Sequence, residues 1–431
     1  MTTISRRSVL TGASGLAGLL ALSACGAGGE SGSAGGEANL RMGWWGNDVR
    51  VKVTDEALRL FESRNEGVTV RGESGNFDNY FDRLATQVAG QDAPDVFQMN
   101  EWNLREYADR GALLDLSEHG FTDAEWPEGS NGTGVVDGKV YGATAGVGLQ
   151  GVMVNPDVFE DAGLDVPDGL TWSWEDYHAI GKEISGATKN GVIGASFAGG
   201  DQISAAFWSG QQGNLVFDAG KLTEDPSSLA SWFSYWLEVV TDGTSLSAAA
   251  TAEQSGVPIE QQAFSLGSVA MQIIPVNVVI QYESTMGQDL TLLRLPTQTG
   301  KKEDLGMWYR ASQLFCASSR SKFADESGAL INFLLNDVDA GKILLADRGT
   351  PPNTTVLEAI VDDLTPGDQR VIDYMNACEP DLVPAPEPPP AGAGAWTAAL
   401  GRAAEDVMFE RTAPEAAAEA LLAELREGMQ A

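Results

Sequence analysis

Strand and helix signals alternate from Asn39 onward, and that alternation restricts the chain to a sheet with helices packed on its faces. Leu40 to Trp44 is a short apolar run ended by Gly46-Asn47-Asp48, a strand followed by a loop. Val53, Ala57, Leu58, Leu60 and Phe61 then recur at helical spacing, and Val68-Thr69-Val70 is a second strand. Phe81, Leu84, Ala85 and Val88 repeat the helical spacing before Pro94-Asp95-Val96-Phe97 opens a third strand. A βαβαβ order predicts a parallel sheet, whose ligands sit beyond the carboxyl ends of the strands. The informative residues are therefore Trp45 to Asp48, Ser74 to Phe77 (with Asn76) and Asn100 to Asn103.

At 431 residues the chain is too long for one core, so two or more lobes are expected. A second unit begins after Asp137-Gly138-Lys139-Val140-Tyr141-Gly142, with a strand at Val152 to Asn155 and helices over Glu175–Ile184 and Leu229–Val240. Trp232, Phe233, Trp236 and Leu237 share a broad apolar face and read as core. Val269 to Ile280 is β-branched and apolar but interrupted by Pro275. Pro384 to Pro390 cannot form regular helix or inner strand, and two Ala-rich helices follow it, Trp396–Phe409 and Pro414–Glu427.

The first 25 residues read as an export signal. Arg6 and Arg7 precede a diluted apolar run from Val9 to Leu22, short for a membrane span and suited to a secretory segment. Ser5 to Leu10 looks like a twin-arginine signal, and Leu22-Ser23-Ala24-Cys25 looks like a lipobox. Cleavage of 1–24 would leave Cys25 as the lipidated first residue. Residues 25–38 would form a flexible Gly/Ser-rich tether of roughly 20 Å reach. The mature chain would then carry 25 basic against 61 acidic residues (27 less the two arginines), or -36. Such a surface repels nucleic acid and anionic headgroups. Of the other cysteines, Cys316 reads as a buried strand residue and Cys378 as helical; a core thiol is the commoner use, and a disulfide between them is left open.

Catalytic motifs are thin. Gly146-Val147-Gly148-Leu149-Gln150-Gly151 fits GxGxxG, but a strand follows it where the dinucleotide fingerprint needs a helix. His119 and His178 are the only histidines, no Cys/His cluster has metal-ligand spacing, and no nucleophile elbow or phosphate loop is present. No metal or cofactor is expected. The residues suit neutral polyols instead: planar amides and carboxylates bond hydroxyls, and aromatic rings cover sugar C–H faces. Of 11 tryptophans, Trp44, Trp45, Trp102, Trp308 and Trp396 lie in predicted loops near strand ends. Trp102 and Trp308 have polar, turn-like neighbours, Arg310 among them, whereas Trp44 is expected to point inward.

These pieces resemble, in order and spacing, the extracellular solute-binding proteins of carbohydrate ABC transporters, which include maltose-binding protein. The resemblance rests on Phe61-Glu62-Ser63 with Val68-Thr69-Val70, Asp92-Ala93-Pro94-Asp95-Val96, Gly111-Ala112-Leu113, Asp137 to Gly142, Ala162-Gly163-Leu164, Gly267 to Met271 and Arg348-Gly349-Thr350-Pro351-Pro352. It implies an α/β, two-lobe periplasmic-binding-protein-like fold with three interlobe crossings and a ligand cleft. The crossings would fall near Thr144–Gly151, Arg294–Thr297 and Arg348–Asn353, giving one lobe of 39–146 plus 297–348 and another of 150–293 plus 353–431. By position in the family pattern, contacts fall on Asn47, Asp48, Asn100, Glu101, Trp102, Gln150, Asp201, Asn277 and Trp396. Two positions depart from maltose-type members: Met99 stands where an aromatic is common, and Met307-Trp308-Tyr309-Arg310 is bulkier than the family pattern.

The expectation is a non-catalytic monomer, lipid-anchored at Cys25 outside the cell membrane. It would close on a sugar or short oligosaccharide and deliver it to ABC permease subunits. One rival is the same fold holding a polyamine, with Asp48, Glu101 and Asp201 as its carboxylates; another is an exported glycosidase.

Overall fold

The computed structural model describes residues 37–188, 191–254 and 256–429. The signal segment, Cys25 and nearly all of the tether lie outside the described residues. Nine strands build two sheets: β1 (Ala38–Trp45), β2 (Val68–Gly75), β3 (Val96–Met99), β4 (Ala143–Gly148), β5 (Gln150–Val154), β6 (Ile193–Ala195), β7 (Val269–Pro275), β8 (Thr291–Leu293) and β9 (Arg310–Ala317). The first sheet has the order β2-β1-β3-β9-β4 and the second β8-β5-β7-β6.

The expected βαβαβ unit is present: β1 pairs in parallel with β2 and β3. The sheet as a whole is mixed, because β9 runs antiparallel to β3 and β4. That strand enters from the second unit at the carboxyl edge of the others, so it can only run back down the sheet. Helices α1 (Asp48–Arg64), α2 (Phe77–Ala89) and α3 (Glu101–Asp109) follow β1, β2 and β3 directly. Asn47 and Asn100 cap the first and third, each accepting a backbone N–H at 3.0 Å. Both caps satisfy donors that the first helical turn leaves orphaned.

Cores lie under both sheets. Leu40, Met42, Trp44, Phe61 and Leu330 pack in the first, and Val152, Val154, Trp232, Trp236 and Met271 in the second. Trp44 points inward, 1% exposed, and the aromatic stripe of α5 (Pro226–Thr241), which follows α4 (Gln202–Gln211), is core. Cys316 and Cys378 are free thiols buried in different cores, so no disulfide joins them. Burial pushes the Cys378 thiol up to about 11.

The chain passes three times between the two units. The first passage is Leu149, between β4 and β5. The GxGxxG match lies across it, strand on both sides. Gly146 is there for close approach, since a Cβ would fall 2.1 Å from the Arg348 carbonyl oxygen. The other two passages come later than the sequence suggests. Residues past Thr297 stay with the second unit. Gln211 donates to the Pro296 and Leu305 carbonyls at 3.0 and 2.9 Å, and Met307, Trp308 and Tyr309 join the second core. The helix Thr354–Ile360 stays with the first unit, where Thr354 N–H donates to the Glu125 carbonyl at 3.0 Å and Val356 packs against Gly341. The chain rejoins the second unit with the helix Pro366–Cys378, whose Tyr374 hydroxyl donates to the Gln150 carbonyl at 2.6 Å. Local apolar spacing cannot say which core a segment joins, so these boundaries were beyond the sequence. Among the described residues no helix is long and apolar enough to cross a membrane.

Candidate functional site

The carboxyl ends of β1 and β3, the start of β9 and the end of β4 share one edge of the first sheet, which faces the second unit. Asn100 turns the chain there from β3 into α3, which puts Glu101 and Trp102 in the first helical turn. Glu101 is 7% exposed. One of its oxygens accepts from the Arg310 guanidinium; the other, Oε2, has no partner. Arg310 opens β9, with Trp308 two residues before it.

From the second unit come α4, the short hairpin Phe217–Leu222, the proline run and Trp396. Together these enclose a pocket of about 580 Å³, open mouth included. Trp102, Trp308, Trp396, Phe217 and Ile203 make its apolar walls, and Glu101, Arg310, Thr133 and Glu387 supply its polar groups. Trp308 rests edge-on against Phe207, ring centres 4.6 Å apart, and Trp396 against Phe217 at 6.1 Å. The Trp396 indole N–H is buried and unpartnered.

Two residues that line this aromatic pocket thus each carry a buried orphan atom, of opposite sense: an acceptor on Glu101 and a donor on Trp396. Leaving either unsatisfied costs about 1–3 kcal/mol. The charged residues lining the pocket are already paired, Arg310 with Glu101 and Glu387 with Arg105 at 2.9 Å.

Five of the sequence-predicted residues, Glu101, Trp102, Trp308, Arg310 and Trp396, thus line one pocket. Gln150 and Asp201 meet each other instead. The Gln150 amide donates to Asp201 at 2.7 Å, while Asp201 caps α4 through the N–H groups of Ile203 and Ser204. Asn47 and Asn277 line a separate groove between the units, about 1520 Å³ with its open mouth included, beside Arg50 and Asp347. Asn100 is spent on its cap, and Asp48 and Asn76 are exposed at helix starts, outside the aromatic pocket. Of the two departures, Met99 is fully buried core and Trp308 fills the pocket wall.

The sequence pointed to the Pro-rich segment only through Trp396, without Pro386, Glu387, Pro388 and Pro389, and not to Leu215, Val216 and Phe217, which lead into the hairpin. The proline run was visible as irregular chain, and its adjacency to Trp396 was the available signal. Phe77, within the loop range that the sequence pointed to, opens α2, 54% exposed and edge-on to Trp45 at 5.5 Å. Among the described residues no group of three or more His, Cys, Asp or Glu is placed to hold a metal ion.

A family model for bacterial extracellular solute-binding proteins matches residues 56–365. Over 344 residues the chain is 25% identical to the diacetylchitobiose binding protein DasA of Streptomyces coelicolor, covering 74% of this chain and 76% of that one. Among solved structures, an extracellular solute-binding protein of family 1 from Alicyclobacillus acidocaldarius is 25% identical. It superposes with a TM-score of 0.74 over 93% of this chain and 100% of that one. A periplasmic oligogalacturonide binding protein from Yersinia enterocolitica shares the fold at 21% identity, with a TM-score of 0.76 over 91% and 100% of the two chains. With most of its length matched by the family model and its two-unit fold shared by these structures, the chain belongs to the bacterial extracellular solute-binding proteins.

Proposed function

We propose that the aromatic pocket captures an uncharged sugar or short oligosaccharide for delivery to the permease of an ABC importer, without turning it over. The observation that carries this reading is a pocket lined by three indoles and by two residues with buried orphan atoms, Glu101 Oε2 and Trp396 Nε1. A sugar hydroxyl both donates and accepts, so it suits an unpartnered acceptor as well as an unpartnered donor, while the C–H faces of the ring pack on tryptophan. The relative that binds diacetylchitobiose supports the same class. The walls come from both units, so binding draws the units together, and the closed form is what a permease would select. Anchoring through a lipid on Cys25 and action as a monomer complete the proposal.

A polyamine would need free carboxylates, and the two lining the pocket are each held by an arginine. Titration calorimetry with diacetylchitobiose, maltose, cellobiose and spermidine tests the reading, with chromogenic glycosides assayed in parallel. A neutral saccharide is expected to bind and remain intact. Binding of spermidine alone, or release of the chromophore, overturns it.

A further inference from the structure

Arg105 lies one helical turn beyond Glu101 on α3, so both side chains leave the same face of the helix toward the second unit. Its side chain is 10% exposed and meets three carboxylates. Two belong to its own unit: Asp137, 2.9 Å from Nη2, and Asp109, 3.8 Å from Nε. The third, Glu387, stands in the proline run of the other unit, where Nη1 donates to it at 2.9 Å.

A second element of that unit is shaped to the same side chain. Gly220, at the turn of the hairpin Phe217–Leu222, has φ +69°, and a Cβ there would fall 2.7 Å from Arg105 Nε. The turn is glycine where the guanidinium lies against it. Glu387 and Phe217, which flank the contact, also line the pocket.

We propose that Arg105 is a latch between the units, positioning the proline run and the hairpin as pocket walls and favouring the closed arrangement before any ligand arrives. Its role in capture rests on the reading proposed above; the contact itself does not. Asp137 and Asp109 keep the guanidinium paired and in place when the units part, so of Arg105's own contacts opening breaks only the Glu387 pair and the cover over Gly220. Glu387 and Asp137 are partly exposed, 38% and 66%, so the pair is weak enough to break and is screened by salt.

Small-angle scattering of the ligand-free full chain, at low and at high sodium chloride, tests this. Glu387→Gln removes the cross-unit partner and leaves the first-unit cluster whole. It should shift the open-to-closed ratio toward open by roughly five-fold, read as a larger radius of gyration at low salt. Wild type should expand toward the variant at high salt. Arg105→Lys should fall between the two, since an ammonium cannot fork across two carboxylates. Identical scattering of wild type and Glu387→Gln at both salts overturns the latch. Expansion by Arg105→Gln but not by Glu387→Gln also overturns it, because the effect would then arise inside the first unit. No sugar enters these measurements, so failure of every saccharide to bind would count against the proposed function and not against the latch.

Discussion

Glu224 should make the protein lose stability as the pH rises toward neutrality. It is 3% exposed, ahead of α5, and neither carboxylate oxygen has a hydrogen-bond partner. The Ser228 hydroxyl, which stands near it, is engaged with Gln212 at 2.9 Å. Burial raises the carboxyl from its ordinary 4.5 to about 7, with the nearby Ser209 hydroxyl a smaller influence in the other direction. The folded state therefore holds this proton more tightly than the unfolded one. The advantage is complete below pH 4.5 and is lost progressively as pH rises to about 7. A shift of that size corresponds to about 3 kcal/mol. Glu224→Gln keeps the shape and cannot ionise, so the variant should gain about 2–3 kcal/mol over wild type between pH 5 and pH 8. Urea unfolding followed by tryptophan fluorescence at half-unit pH steps measures the gap, and all other titrating groups cancel in the difference. Parallel stability curves for the two proteins would refute the reasoning.

Three further outcomes are expected. Trp102→Ala should weaken the best-bound sugar roughly ten-fold with little change in melting temperature, since Trp102 is only half-buried; a large drop in melting with intact affinity would assign it to the core. Trp396→Phe removes the orphan N–H, and calorimetry should show roughly a five-fold loss of affinity, whereas unchanged affinity would remove this atom from the site. Cys25→Ala should leave the chain unprocessed or shed from membranes, and cell fractionation that finds it processed and retained like wild type would reject the lipid anchor.

Much of the frame was legible in the sequence because the responsible forces are local. Apolar spacing over Leu40 to Phe97 specifies the three parallel strands and the helices between them. The same locality sets the limit. Asp201 and Asn100 lie where the sequence pointed to ligand loops, their oxygens accept helix-capping N–H bonds, and no spacing rule tells a cap from a ligand contact. Trp396 was a site candidate from the sequence, and only the structure shows it lining the pocket, fully buried and with an idle N–H.

By itself the sequence determined the strand–helix alternation, the inward turn of Trp44 and the supply of tryptophans. Tertiary structure decided the direction of β9, the core to which residues 298–309 and 354–360 belong, and the meeting of Glu101, Phe217, Trp308, Glu387 and Trp396 around one space. Periodicity reports which face of an element is buried, but not against what. The pocket is assembled by packing between segments nearly 300 residues apart, and that information resides in the contacts rather than in any stretch of chain.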